Sequence, residues 1–127
     1  MRTDSWLLDT NVVLLMLKGN NYLSKVVEGH VLYISFVTEI ELLSYPKATE
    51  AELSVLNSFI NSVIVLDYER KLKQSVIHLR RKFGLKFADA VIAATSQYND
   101  LPFLSADLAF ERVGDPRFYY YRHRPGD

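Results

Sequence analysis

Short apolar runs alternating with helix-like stretches predict an α/β protein, a three-layer α/β/α sandwich around a central, mainly parallel five-stranded sheet. Three observations carry the prediction. Apolar runs rich in β-branched or aromatic residues recur at 6–8, 31–34, 63–66, 102–105 and 118–121. Candidate helix starts follow several of those runs, at Asp9, Ser35 and Asp107. Hydrophobic residues form 49% of a 127-residue chain, enough to fill one core and too many for a disordered segment.

The first run ends at Asp9, and Asp9-Thr10-Asn11 opens a helical stretch over 12–17 that stops at Lys18-Gly19, a cation followed by glycine. A short helix is expected over 21–28, closed by Gly29, and the second strand follows over 31–34. Ser35 is a candidate N-cap for a helix over 37–44 that Pro46 terminates. Thr49 and Glu52 have capping-box spacing for a helix over 50–61, and the third strand spans 63–66. Leu72, Val76, Leu79 and Phe83 recur at helical spacing in a helix over 69–82 that Gly84 closes. The next helix, 86–98, carries Ala90, Val91, Ala93 and Ala94, small enough for close packing on a sheet. A strand and turn over 102–105 and an edge strand over 118–121 complete the sheet, and 122–127 reads as a frayed tail. No repeat or second domain is evident, so 1–127 is read as one domain with right-handed crossovers.

Composition excludes some chemistry. The chain has no cysteine, which rules out a disulfide, a thiolate metal site or a cysteine nucleophile and suits a reducing, cytoplasmic setting. No stretch reaches the ~18 apolar residues of a membrane span, and the opening residues lack the apolar core of a signal peptide. The net charge is zero but unevenly spread. Residues 1–66 hold four basic and seven acidic side chains, a sum of −3, whereas residues 68–86 hold seven basic and one acidic, a sum of +6. The basic stretch is either a solvated helix face or a surface for phosphate.

Open parallel sheets bind ligands beyond the carboxyl ends of their strands. Asp9 follows strand one, Glu41 lies two turns into the helix after strand two, and Asp107 follows strand four. Asp89 sits in the first turn of the helix leading into strand four. Singly, each acid has a structural explanation: Asp9 as N-cap, Glu41 in a capping box with Thr38, Asp89 and Asp107 as first-turn acids, with Ser105 as a cap. Together they are harder to dismiss. Two carboxylates ~4 Å apart repel by about 4 kcal/mol at an effective dielectric near 20, and a divalent cation removes that cost. All-oxygen ligands suit Mg²⁺ or Mn²⁺, and His30, His78 and His123 fall at no metal-binding spacing. Glu39, about 200° around the helix from Glu41, should face away.

Four segments resemble the PIN domain family, and in size and layout the chain is similar to the VapC toxins of bacterial toxin–antitoxin pairs. They are LLDTN at 7–11, SFVTEIELL at 35–43, FADAVIAATS at 87–96 and LSADLAF at 104–110. The resemblance implies a PIN-like sandwich and places the family's metal-binding acids on Asp9, Glu41, Asp89 and Asp107. The fourth segment departs from the pattern, with Ser105 where Thr is usual and Ala109-Phe110 where Asp-Phe is common. Asn11 and Ser105 are expected to support the site, with Thr10 and Thr38 as further polar candidates. The implied activity is Mg²⁺- or Mn²⁺-dependent hydrolysis of RNA, with Arg80, Arg81, Lys82 and Lys86 as phosphate contacts. A homodimer and a small VapB-type antitoxin are the implied partners, with Leu14, Leu17, Tyr22 and Leu23 as candidate contacts. The alternatives are another Mg²⁺-dependent phosphoryl-transfer enzyme and a non-catalytic binding module. A haloacid-dehalogenase-like phosphatase would need Asp where Asn11 stands, and a phospho-receiver would need a strand-end Lys late in the chain that is not evident.

Overall fold

The computed structural model describes residues 3–122 and 124. Its elements run β1 (Ser5–Leu8), α1 (Thr10–Leu17), α2 (Asn21–Val27), β2 (Val31–Ser35), α3 (Phe36–Leu43), α4 (Glu50–Ser62), β3 (Ile64–Leu66), α5 (Leu72–Phe83), α6 (Phe87–Asn99), β4 (Phe103–Ser105) and β5 (Phe118–Tyr120). The five strands lie in the order β3-β2-β1-β4-β5, and every pairing is parallel. β1 sits at the centre, between two strands that the chain reaches only through helical crossovers. Only part of the frayed tail expected over 122–127 lies within the described residues.

The central strands β1 and β4 bury both faces, their alternating side chains entering opposite cores. On β1, Leu7 joins one core with Phe103, Phe118 and residues of α5 and α6. Leu8 joins the opposite core with Ile34, Leu104 and residues of α1, α2 and α4. In α6, Ala90 to Ser96 are all buried. The alanines at 90, 93 and 94 let it lie close against its neighbours, as the sequence implies.

Two differences from expectation have physical causes. α5 begins at Leu72, three residues later than the apolar spacing indicated, because residues 70–71 form a turn and no side chain caps the helix. A 3₁₀ helix over Leu108–Val113, not anticipated, follows β4. It is short and capped by Asp107, which accepts the Ala109 N–H at 2.9 Å. Its anchor is Phe110, fully buried in an edge-to-face group with Phe103 and Phe118 at ring separations of 4.9 and 6.1 Å. Arg112 ties the same segment to α5 by donating to the Phe83 carbonyl at 2.9 Å. Gly84, in the left-handed region at φ 67°, ends α5 and turns the chain towards α6.

Candidate metal centre

The parallel sheet directs the ends of β1, β2 and β4 to one edge, and the acids gather there. Asp9 caps α1 by accepting the Thr10 N–H at 2.9 Å on Oδ1. Its Oδ2 accepts the Ser105 hydroxyl at 2.6 Å, which joins β1 to β4 across 96 residues of sequence. Asp9 is 5% exposed. Its pKa rises from 3.8 to about 6, mainly because burial disfavours the charge. The hydrogen bonds from Ser105 and Thr10 oppose that rise, and the charges of Asp89 and Asp107 add to it. The cap and the functional reading of Asp9 are therefore compatible, since each uses a different oxygen.

Glu41 does not form a capping box with Thr38. α3 starts at Phe36 with Ser35 as its cap, accepting the Val37 N–H at 3.1 Å, so Thr38 is already inside the helix. Instead the Thr10 hydroxyl donates to Glu41 Oε1 at 2.6 Å and lies 3.0 Å from the Thr38 hydroxyl. Thr10 thereby links the first turn of α1 to α3. Asp89 stands in the first turn of α6 and is half-buried. Burial raises its pKa first, then Asp107 and Glu41, against the opposing charge of Lys86. Asp9 thus feels the charges of Asp89 and Asp107, and Asp89 those of Asp107 and Glu41, while Glu39 is not among the charges acting on Asp89.

The supporting residues have defined tasks. Ser105 donates to the Asp9 carboxylate and accepts the Asp107 backbone N–H at 2.9 Å, so one hydroxyl orients Asp9 and anchors the main chain at Asp107. Asn11 accepts the Ala106 N–H at 3.2 Å and so holds the loop after β4 against α1. That positional role is not visible in sequence, because the two residues are 95 apart.

Of the basic candidates, Lys86 is close enough to Asp89 to lower its pKa. Arg80 lies over the Phe87 ring at 5.9 Å, and Lys82 over Phe83 at 5.4 Å. Arg81 is exposed on the last turn of α5. Leu23, a candidate surface contact, is fully buried in the core beneath α2, a correction that follows from α2 turning this side chain towards the sheet. Leu14 and Leu17 are half-buried, and Tyr22 is exposed and stacked on Tyr121 at 5.6 Å.

The donor chemistry fits a hard divalent cation, since the groups are carboxylates and hydroxyls with no sulfur or imidazole among them. Among the described residues, no three acidic or histidine side chains converge closely enough to share an ion in this conformation. Only Asp9 is buried and pinned by two hydrogen bonds. Glu41 is exposed and held by the Thr10 hydroxyl, Asp107 is half-buried and bonded to the Ala109 N–H, and Asp89 is half-buried.

The family model for the PIN domain matches residues 6–116. The fold is shared by solved structures. The DNA-bound VapBC from Salmonella typhimurium is 23% identical with a TM-score of 0.81, covering 91% of this chain and 97% of that one. A toxin–antitoxin complex from Klebsiella pneumoniae is 21% identical with a TM-score of 0.76, covering 91% and 98%. VapBC-5 from Mycobacterium tuberculosis is 21% identical with a TM-score of 0.68, covering 94% and 99%. No curated protein matches the chain in sequence.

Proposed function

The chain belongs to the PIN domain family, and on that premise we propose that it is a Mg²⁺- or Mn²⁺-dependent endoribonuclease, the toxin of a VapBC-type pair. The observation that carries the reading is that the charges of Asp89 and Asp107 bear on the buried Asp9, and those of Asp107 and Glu41 on Asp89, at one sheet edge reached from four elements. A charge that burial and neighbours make costly is what a cation relieves.

Asp9, Glu41, Asp89 and Asp107 would hold the ion or ions. A bound divalent cation lowers the pKa of water towards neutrality and offsets charge growing on phosphoryl oxygens. Asp9 is oriented for that task by Ser105 and by the Thr10 N–H. Thr10 holds Glu41 beside it through its hydroxyl. Lys86, next to the acids, and Arg80 meet the flanking phosphates, without which an acidic edge would repel RNA. The chain offers no cysteine nucleophile, and water suffices as the attacking group.

For the partners, the support is twofold. The Salmonella and Mycobacterium structures are VapBC systems, and the Klebsiella structure is a toxin–antitoxin complex. An apolar groove of about 780 Å³ runs along Leu14, Leu17, Tyr45, Pro46, Val55 and Leu56. It fits an apolar segment of a small VapB-type antitoxin, and a homodimer is the proposed assembly. No helix among the described residues is long and apolar enough to cross a membrane, in keeping with a cytoplasmic enzyme.

The test is direct. Purified protein should cleave RNA with Mg²⁺ or Mn²⁺, leave 5′-phosphate and 3′-hydroxyl ends, and stop when chelator is added. Asp9→Asn and Asp89→Asn should each abolish cleavage while keeping the native circular dichroism spectrum. Undiminished cleavage by either variant would sink the site. Calorimetry that detects no Mn²⁺ binding would favour the non-catalytic binding module.

A further inference from the structure

Phe87 is the first residue of α6 and is 59% exposed, although large aromatic side chains normally seek the interior. It stands two residues before Asp89. An offset of two turns it about 200° around the helix, so ring and carboxylate flank the first turn from opposite sides. Both lean towards the N-terminal end of α6, because helical side chains tilt that way. The ring therefore faces away from the Asp89 carboxylate, as Glu39 does from Glu41, and a chain that touches both must pass over the N-terminal end of α6.

The surroundings of the ring define its occupant. The Arg80 guanidinium lies over it at 5.9 Å from the centroid. Lys86 adjoins it in sequence, and Arg81 and Lys82 share the last turn of α5 with Arg80. An apolar protein surface would have to seal against these exposed cations. An anionic chain carrying flat rings suits them, with its bases on the phenyl face and its phosphates on arginine and lysine.

We infer that Phe87, with Arg80 behind its ring, is a stacking platform for a nucleobase of single-stranded RNA, flanking the phosphodiester held at the acids. The inference rests on the ribonuclease reading. Stacking accepts any base, because every base has a π-face. The platform therefore sets where the strand lies without demanding a sequence.

The experiment measures binding of fluorescent single-stranded RNA oligonucleotides in chelator, where no cleavage occurs, with cleavage in Mg²⁺ in parallel. Phe87→Ala should weaken binding roughly five- to tenfold, and Phe87→Trp should restore it. In an abasic scan, one position near the scissile bond should lose affinity for the wild type and lose nothing further for Phe87→Ala. A merely structural role would not depend on a single base. In cleavage, Phe87→Ala should raise KM more than it lowers kcat. Wild-type affinity in Phe87→Ala, with cleavage intact, overturns the platform and leaves the ribonuclease reading standing. A change in sedimentation with unchanged RNA affinity overturns it in favour of a subunit contact. Wild-type protein that neither binds nor cleaves RNA overturns both.

Discussion

Replacing Asp9 by asparagine should stabilise the metal-free protein at neutral pH, even though it removes a proposed metal ligand. In the native state Asp9 titrates near 6, against 3.8 for an unperturbed aspartate, because it is buried. Between those values the unfolded chain has already released the proton that the native state keeps. The native state thus binds more protons than the unfolded state, and stability falls as pH rises through this window. Below 3.8 the penalty is absent, and above 6 it is fully developed. At 1.36 kcal/mol per pKa unit, the shift amounts to about 3 kcal/mol at pH 8. Asparagine carries no charge to bury. Its oxygen can still accept the Thr10 N–H, and its amide can donate to Ser105 Oγ. The serine hydroxyl then loses its acceptor, at a cost of about 1 kcal/mol. The net gain is about 2 kcal/mol at pH 8, roughly 5–10 °C in Tm for a domain of this size. It should vanish by pH 4. Calorimetric melts of both proteins in chelator between pH 4 and 8 measure it. Added Mg²⁺ should raise the wild-type Tm and leave Asp9→Asn nearly unmoved. A variant less stable than wild type at pH 8, or a difference independent of pH, would refute the reasoning that burial sets the Asp9 pKa.

Other outcomes follow from the same geometry. Ser105→Ala removes a bond that lowers the Asp9 pKa. It should move the acid limb of the cleavage profile to higher pH and weaken Mn²⁺ affinity measured by calorimetry. Lys86→Gln removes the charge that opposes protonation of Asp89, so that carboxyl should titrate higher still, as NMR titration of the side chain would show. Phe110→Ala opens a cavity beside Phe103 and Phe118 and should cost about 3–5 kcal/mol in urea unfolding. Because Phe110 anchors the segment that Asp107 caps, metal affinity should fall along with stability, while Phe110→Leu should recover most of both.

The sequence by itself determined the layers and the five strands, and it put acids at strand ends and helix starts, because these depend on local signals. Apolar runs and caps are written within a few residues, as Thr49 and Glu52 illustrate with the capping box that α4 uses. An acid directly after a strand needs only the parallel rule to be placed at the carboxyl edge. Tertiary structure alone decided what each acid touches. Thr10 meets Glu41 across 31 residues, Ser105 meets Asp9 across 96 and Asn11 meets Ala106 across 95, and no local pattern encodes such pairs. It also decided that Leu23 is core and that Phe87 is surface, since burial depends on which neighbours arrive and not on the side chain's own hydrophobicity. The 3₁₀ helix after β4 escaped notice for the same reason. One buried phenylalanine, set by its partners in β4 and β5, holds it in place.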